Sequence, residues 1–262
     1  MIAASKPFVT PDAGHLFNYA PLFKIGSIAV TYPMVIMFAL TLLIGLFFWR
    51  AFARPQLVPV GSQNVAEAGV EFVHKQIAAP VLGSLGTAWT PFLTIMFFWV
   101  LLLNFMEITP GVNFPITSRM AIPAMLAVIV WFIYNGIGIA RQGFFGYLKG
   151  IMFPPGVPSK GFYILIKGLL ALIEFISTII VRPLTLAVRL FANMVAGHMI
   201  LSVLFLGTEV FLASGLGKVT FVAPFLFGTV MTGFELFVAA MQAFIITILT
   251  AVYIAGAQEA HH

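Results

Sequence analysis

Long stretches without a single charged residue are the feature that most restricts how this chain can fold. No Asp, Glu, Lys or Arg lies between Lys24 and Arg50, nor between Arg119 and Arg141. Only 8% of the 262 residues are charged and 61% are hydrophobic, whereas a soluble domain has about 25% charged residues. Too few polar side chains are present to cover a water-exposed surface, so a soluble globular fold is excluded. We predict an all-α integral membrane protein.

The apolar runs indicate where the chain crosses the membrane, since a span needs roughly 20 apolar residues. Between two of them, Glu67, Glu71, His74 and Lys75 recur on one helical face among apolar side chains, which predicts an amphipathic helix on the membrane surface. We predict a single membrane domain, residues 1–262, with five crossings. Its segments are a polar outer tail (1–27), a helix (28–49), the amphipathic surface helix (62–85), two spans (88–107 and 120–141) and two long helices (162–212 and 219–257).

The last two predicted helices are longer than a simple span. The apolar residues from Phe162 to Leu206 would form a helix of about 67 Å, whereas the hydrocarbon core is about 30 Å thick. No Gly, Asn or Asp stands beside Pro183 to turn the chain back as a hairpin. Both helices are therefore predicted to be strongly tilted, and Pro183 is the place for a bend in the first of them.

Basic residues predict the orientation in the membrane. With five crossings, seven basic residues fall on one side: Arg50, Arg54, Lys75, Arg141, Lys149, Lys160 and Lys167. Four fall on the other side: Lys6, Lys24, Arg119 and Lys218. Because cytoplasmic loops carry the excess of Lys and Arg, the N-terminus is predicted outside and the C-terminus in the cytoplasm.

Charged side chains within the last two helices carry the functional prediction. Arg189 lies deep in an apolar helix, where an arginine costs at least about 2.5–3.5 kcal/mol and the guanidinium stays charged. It therefore needs water or an anionic partner. Glu174 is too far along the same helix, so the partner is either Glu235 or a carboxylate on another subunit. A purely structural Arg–Glu pair is the alternative.

Polar and small side chains form a stripe around Arg189. The stripe consists of Thr178, Arg182, Thr185, Arg189, Asn193 and Ala196. Small residues at this spacing let another helix approach closely. His198 faces the other side of the helix with Ser202 one turn below, and Glu235 and Gln242 share a face of the last helix. An intramembrane His and Glu on neighbouring helices suggest a proton relay. Packing and interhelical hydrogen bonds are the alternative roles of these polar residues.

The stretch RPLTLAVRLFANMVAGH, residues 182–198, closely resembles the signature of subunit a of the F-type ATP synthase in its bacterial form. Residues 235–253, which include Glu235, Gln242 and Tyr253, are similar to the last helix of that family. The resemblance implies a membrane subunit that holds two offset proton half-channels against a rotating ring of c subunits. It also implies a bacterial plasma membrane, a b-type stator subunit and the rest of the ATP synthase as partners, and no cofactor or metal.

The resemblance also implies roles for individual residues. Arg189 matches the family's essential arginine, which faces the mid-helix carboxylate of the c subunits and keeps protons from crossing directly between the half-channels. Asn193 and Gln242 match polar positions beside it. His198 and Glu235 match an exchanged pair in the outer proton path. Secondary positions are Arg182, Glu174, Ser202 and Tyr253.

Other functional classes remain alternatives. A secondary transporter would show inverted repeats and paired broken helices, and the sequence shows no such pattern. A stand-alone proton channel would need its own filter or a self-assembled pore. A structural anchor would leave the buried Arg189 unexplained. No nucleotide-binding or metalloprotease motif occurs, so the chain itself is predicted to be non-catalytic.

Overall fold

A computed structural model describes residues 21–25, 28–109, 116–152, 163–213 and 222–258 of the chain. Five helices in these ranges are long and apolar enough to cross a membrane, which confirms the prediction of an all-α integral membrane protein. The helices are α1 (Tyr32–Phe52), α2 (Ser62–Val73), α3 (Ala79–Leu82), α4 (Gly86–Phe105), α5 (Ala121–Gln142), α6 (Phe144–Met152), α7 (Tyr163–Ile176), α8 (Arg182–Ala213) and α9 (Val222–Gln258). Residues 1–20, 26, 27, 162 and 219–221 of the predicted segments lie outside the described residues.

A short antiparallel hairpin precedes the first long helix, where the sequence predicted helix from residue 28. Its strands are β1 (Pro21–Ile25) and β2 (Ile28–Thr31). The β-branched residues of β2 favour an extended backbone. Pro33 lies in the first turn of α1, where its missing N–H leaves no helical hydrogen bond unmade. The helix therefore begins at Tyr32 and ends at Phe52, three residues beyond the predicted end.

No loop separates the predicted surface helix from the second span. Helical structure runs from Ser62 to Phe105, interrupted by a π-turn (His74–Ala78) and a 3₁₀ turn (Gly83–Leu85). At Gly83 the φ angle is 55°, in the left-handed region that favours glycine. The predicted surface segment and the predicted span thus belong to one helical run, with a glycine at its irregular turn. That α2 lies on the membrane surface stays a prediction.

One compact unit of the chain comprises Met1–Ala53, Phe98–Arg119 and Leu190–Ala243. In it, the Trp99 indole donates to the Thr41 hydroxyl (2.9 Å), and the rings of Phe48 and Phe98 lie 6.0 Å apart. These contacts hold α1 against the second half of α4. The outward side chains of α1 are themselves large and apolar, as lipid contact requires; they include Phe38, Leu42, Leu43 and Leu46.

The second compact unit comprises Arg54–Phe97, Met120–Arg189 and Phe244–His262. Within it the short helix α6 packs on α5. The Tyr147 ring fills the space that a Cβ on Gly138 would occupy, and its hydroxyl donates to the Asn135 amide oxygen at 3.0 Å. A glycine in α5 therefore lets an aromatic ring of α6 lie directly on the α5 backbone.

Pro183 accounts for a π-turn (Ser177–Val181) that joins α7 to α8. Proline has no N–H, and its ring clashes with the carbonyl four residues back, which here belongs to Ile179. The helix widens by one residue, so that the Arg182 N–H bonds to the Ser177 carbonyl five residues back. The chain stays helical through the proline and does not turn back as a hairpin.

Two side chains of α5 satisfy the carbonyls that this proline leaves open. The Trp131 indole donates to the Ile179 carbonyl at 3.0 Å, and the Tyr134 hydroxyl donates to the Thr178 carbonyl at 2.6 Å. In the widened turn, the Thr178 carbonyl would accept a hydrogen bond from the backbone N–H of residue 183. Proline at that position has no N–H to donate. Because buried carbonyls must be paired, α5 stabilises the one irregular turn in this long helical run.

Replacing Tyr134 with phenylalanine is expected to lower the free energy of unfolding by about 1–3 kcal/mol, because the Thr178 carbonyl loses its donor in a buried position. Tyr134 is 1% exposed. The measurement is SDS-induced unfolding of the detergent-purified chain, followed by circular dichroism. The matched control is Tyr32→Phe, at a position that is 41% exposed. Equal unfolding curves for the two variants would show that the Tyr134 hydroxyl does not support the π-turn.

Candidate functional site

A buried carboxyl and an imidazole meet in the first unit, where the sequence predicted only the end of a span. Glu107 lies in the turn after α4, two residues beyond Phe105, and His198 lies on α8. Glu107 Oε1 is 3.6 Å from His198 Nδ1, and the two side chains are 1% and 13% exposed. A carboxylate and an imidazole at this distance attract each other when the imidazole is protonated. The pair can therefore accept and pass a proton.

A second carboxyl reaches the same helix one residue earlier. The carboxyl group of Glu235, on α9, occupies the space that a Cβ on Gly197 would fill. Any side chain at position 197 would displace that carboxyl from α8. Gly197, which directly precedes His198 in the sequence, thus makes room for the Glu235 carboxyl against α8.

The carboxyl oxygens of this cluster are buried without donors. Both oxygens of Glu107 and Oε2 of Glu235 have no hydrogen-bond partner among the described residues. Burial of ionised carboxylates without donors is costly, so such groups are stable when they bind a proton. We call Glu107, His198 and Glu235 the acid–histidine cluster. Its three residues come from three separate segments of the chain, and all can exchange protons.

Sequence analysis predicted His198 and Glu235 but missed Glu107. Glu107 stands at the border between an apolar run and a Pro-Gly segment, so it was interpreted as the polar end of a span. The available signal was an acidic residue that directly follows a run without charged residues, Gln76 to Met106. Burial on all sides was not visible without the tertiary structure.

The other predicted polar positions lie along the same two helices. Gln242 on α9 is buried, and its Nε2 has no acceptor among the described residues. Asn193 and Ser202 on α8 are half-buried. An orphaned buried donor on α9 marks a polar site within an otherwise apolar stretch.

Arg189 points away from the chain. It is exposed on α8, as are Thr185 and Ala196 of the predicted stripe, while its neighbours Leu186 and Leu190 are buried. None of the ion pairs within the described ranges includes Arg189. A guanidinium on the outer face of an apolar helix needs water or an anionic group from outside the chain. This geometry favours the hypothesis of a partner carboxylate.

Three of the predicted secondary residues meet in the second unit. Arg182 Nη2 donates to Glu174 Oε1 at 3.2 Å, and the Arg182 guanidinium lies 5.5 Å from the centre of the Tyr253 ring. These groups line a cavity of about 280 Å³ together with Tyr134 and Tyr147. Arg182, rather than Arg189, is therefore the arginine with an internal carboxylate partner. The cavity is polar and large enough for several water molecules.

Comparisons with known proteins find a family model and relatives that cover most of this chain. The family model of the ATP synthase A chain matches residues 34–255. A protein of Frankia alni named ATP synthase subunit a is 45% identical over 268 residues, which cover 98% of this chain and 88% of the relative. One of that name from Streptomyces lividans is 38% identical, covering 96% and 89%. Another from Rhodospirillum rubrum is 38% identical, covering 94% and 97%.

Proposed function

Since this chain belongs to the ATP synthase A chain family, we propose that it carries protons, as a non-catalytic stator subunit, through the membrane sector of an F-type ATP synthase. The acid–histidine cluster is the single observation that carries the proposal. Buried Glu107, half-buried Glu235 and an imidazole, from three separate segments of the chain, form a path on which a proton can be held and passed. Packing alone would favour apolar residues at these positions.

The cluster is proposed as the outer access path. With the N-terminus outside, α1 runs inward and α4 runs outward, so Glu107 follows the outer end of α4. A proton entering there can pass from Glu107 to His198 and Glu235. Asn193 and Gln242 on the same two helices would hold water between these groups and a partner ring.

Arg189 is proposed to face the mid-helix carboxylates of a c-subunit ring. Its positive charge favours the ionised carboxylate, which therefore releases its proton before it passes the arginine. A carboxylate that has taken up a proton from the outer path is neutral and can turn into the lipid without the cost of a buried charge. Because the arginine repels protons, the two access paths do not short-circuit. Proton flow then requires rotation of the ring.

The cavity beside Arg182 is proposed as part of the inner access path. In the same orientation α5 runs inward, and Gln142 at its end lines this cavity. Glu174 is the acid there, and the Arg182 pair holds it in place. Protons released from the ring would leave along these polar groups to the cytoplasm. The driving force is about 2.3 kcal/mol per charge per 100 mV.

The proposed assembly is tested by the composition of the detergent-extracted complex. We expect native mass spectrometry of the tagged chain to find it together with many copies of a small c subunit, a b-type stator subunit and a soluble catalytic head. A chain that is purified alone, or as a self-oligomer that conducts protons in vesicles, would instead support a stand-alone channel. Substrate-dependent proton uptake by the isolated chain would support a secondary transporter.

A further inference from the structure

A second opening in the second unit plays no part in the proposed proton path. It is a groove of about 440 Å³ between the start of α4 and the ends of α5 and α9. Its walls are apolar, formed by Leu85, Ala88, Ile137 and Ala140. Three side chains with polar groups also line it: Trp89, Arg141 and Gln258. The groove therefore combines a hydrocarbon surface with polar groups of different kinds.

Two polar groups of the groove are available to a ligand. Arg141 is exposed, and none of the ion pairs in the described part of the chain includes it. Gln258 Oε1 is buried and has no donor among the described residues. Since a buried acceptor without a donor is costly, a ligand hydroxyl in the groove would relieve that cost. The ligand should thus carry an anion and a hydrogen-bond donor.

The position of the groove indicates where such a ligand comes from. Leu85–Trp89 includes the start of α4, and Ile137–Arg141 and Gln258 lie at the ends of α5 and α9. In the predicted topology these helix ends lie on the side with more basic residues. Trp and Arg at helix ends are the side chains that contact lipid headgroups, and basic pockets between spans bind anionic lipids. The apolar walls match the first methylene groups of an acyl chain.

We propose that this groove binds one molecule of an anionic glycerophospholipid, phosphatidylglycerol, at the cytoplasmic face of the membrane. The Arg141 guanidinium binds the phosphodiester, and Gln258 Oε1 accepts a hydrogen bond from a headgroup hydroxyl. Trp89 lies against the glycerol backbone, and an acyl chain lies along the apolar walls. Zwitterionic phosphatidylcholine lacks the net charge and the hydroxyl donors, so it binds more weakly.

Photo-crosslinking of the intact complex tests this proposal. The complex is placed in phosphatidylcholine vesicles that contain a minority of photoactivatable phosphatidylglycerol, and labelled peptides are mapped by mass spectrometry. We expect label on the peptides that contain Trp89 and Arg141. Arg141→Ala should reduce it roughly tenfold or more, as expected when a charge-assisted hydrogen bond to phosphate is lost, and Arg141→Lys should retain part of it.

The matched control is Arg50→Ala, which removes an exposed arginine at a helix end that follows Trp49 and lines neither cavity. Its label at the groove should equal that of the wild type. Equal labelling by photoactivatable phosphatidylcholine would overturn the proposal, as would unchanged labelling of the Arg141→Ala complex. The yield of assembled complex is compared for all variants. This test does not depend on proton pumping, so its failure leaves the proposed function intact.

Discussion

Replacing Arg189 with alanine is expected to abolish ATP-driven proton pumping while the complex still assembles. The side chain is exposed, and no ion pair in the described segments uses it, so its removal disturbs no packing within the chain. Its proposed partner is a carboxylate of the c ring. Without the positive charge, the carboxylate can pass between the two access paths while still protonated, and proton flow no longer requires rotation.

Pumping by the Arg189 variant is measured in inverted membrane vesicles with ATP and a pH-sensitive dye. The amount of co-purified c subunit measures assembly. The control is Thr185→Ala, one turn earlier on the same exposed face, whose hydroxyl donates to the Arg182 carbonyl at 3.0 Å. This variant should pump within about twofold of the wild type, as surface substitutions usually do.

A lysine at position 189 sharpens the interpretation. Arg189→Lys keeps a positive charge, but a lysine that the c ring shields from water can lose its proton and is a weaker barrier. We expect the lysine variant to pump protons at a rate between the rates of the wild type and the alanine variant. Full pumping by a normally assembled Arg189→Ala complex would refute the role assigned to this residue.

The second large effect is expected at Glu107. Glu107→Gln should slow proton translocation by about tenfold or more, because an amide cannot take up or release the proton that a carboxyl group passes to His198. The packing volume is almost unchanged, so assembly should be normal. ATP-driven pumping in vesicles is again the measurement. Glu71→Gln is the control, since Glu71 is exposed on α2 and pairs only with Lys75 of the following π-turn among the ion pairs of the described residues.

A double-mutant cycle tests whether Glu107 and His198 act as one unit. If they do, the combination of Glu107→Gln with His198→Gln should pump about as slowly as the more impaired single variant. Effects that multiply would mean that the two side chains act independently. Normal pumping by the Glu107→Gln variant would remove Glu107 from the proton path and leave it a packing role.

Much of the architecture is determined by local patterns in the sequence. Uncharged runs of about 20 residues predict spans because the bilayer core accepts only helices of about that length. The shared face of Thr185, Arg189 and Ala196, which are exposed, follows from the helical period, since residues three and four apart lie on one side of a helix. These features depend on neighbours in the chain, and the structure confirms the five apolar helices. The hairpin before α1 was missed because β-branched residues also occur in membrane spans.

What only the tertiary structure decided is which distant side chains meet. Glu107 lies in a different segment of the chain from His198, so no spacing rule links them, yet their side-chain atoms are 3.6 Å apart. Likewise, Pro183 predicts a break in a helix, but not that Trp131 and Tyr134 pair the carbonyls it leaves open. The physical reason is that hydropathy and helical period act along one segment, whereas burial and hydrogen bonding of polar groups depend on how separate helices pack.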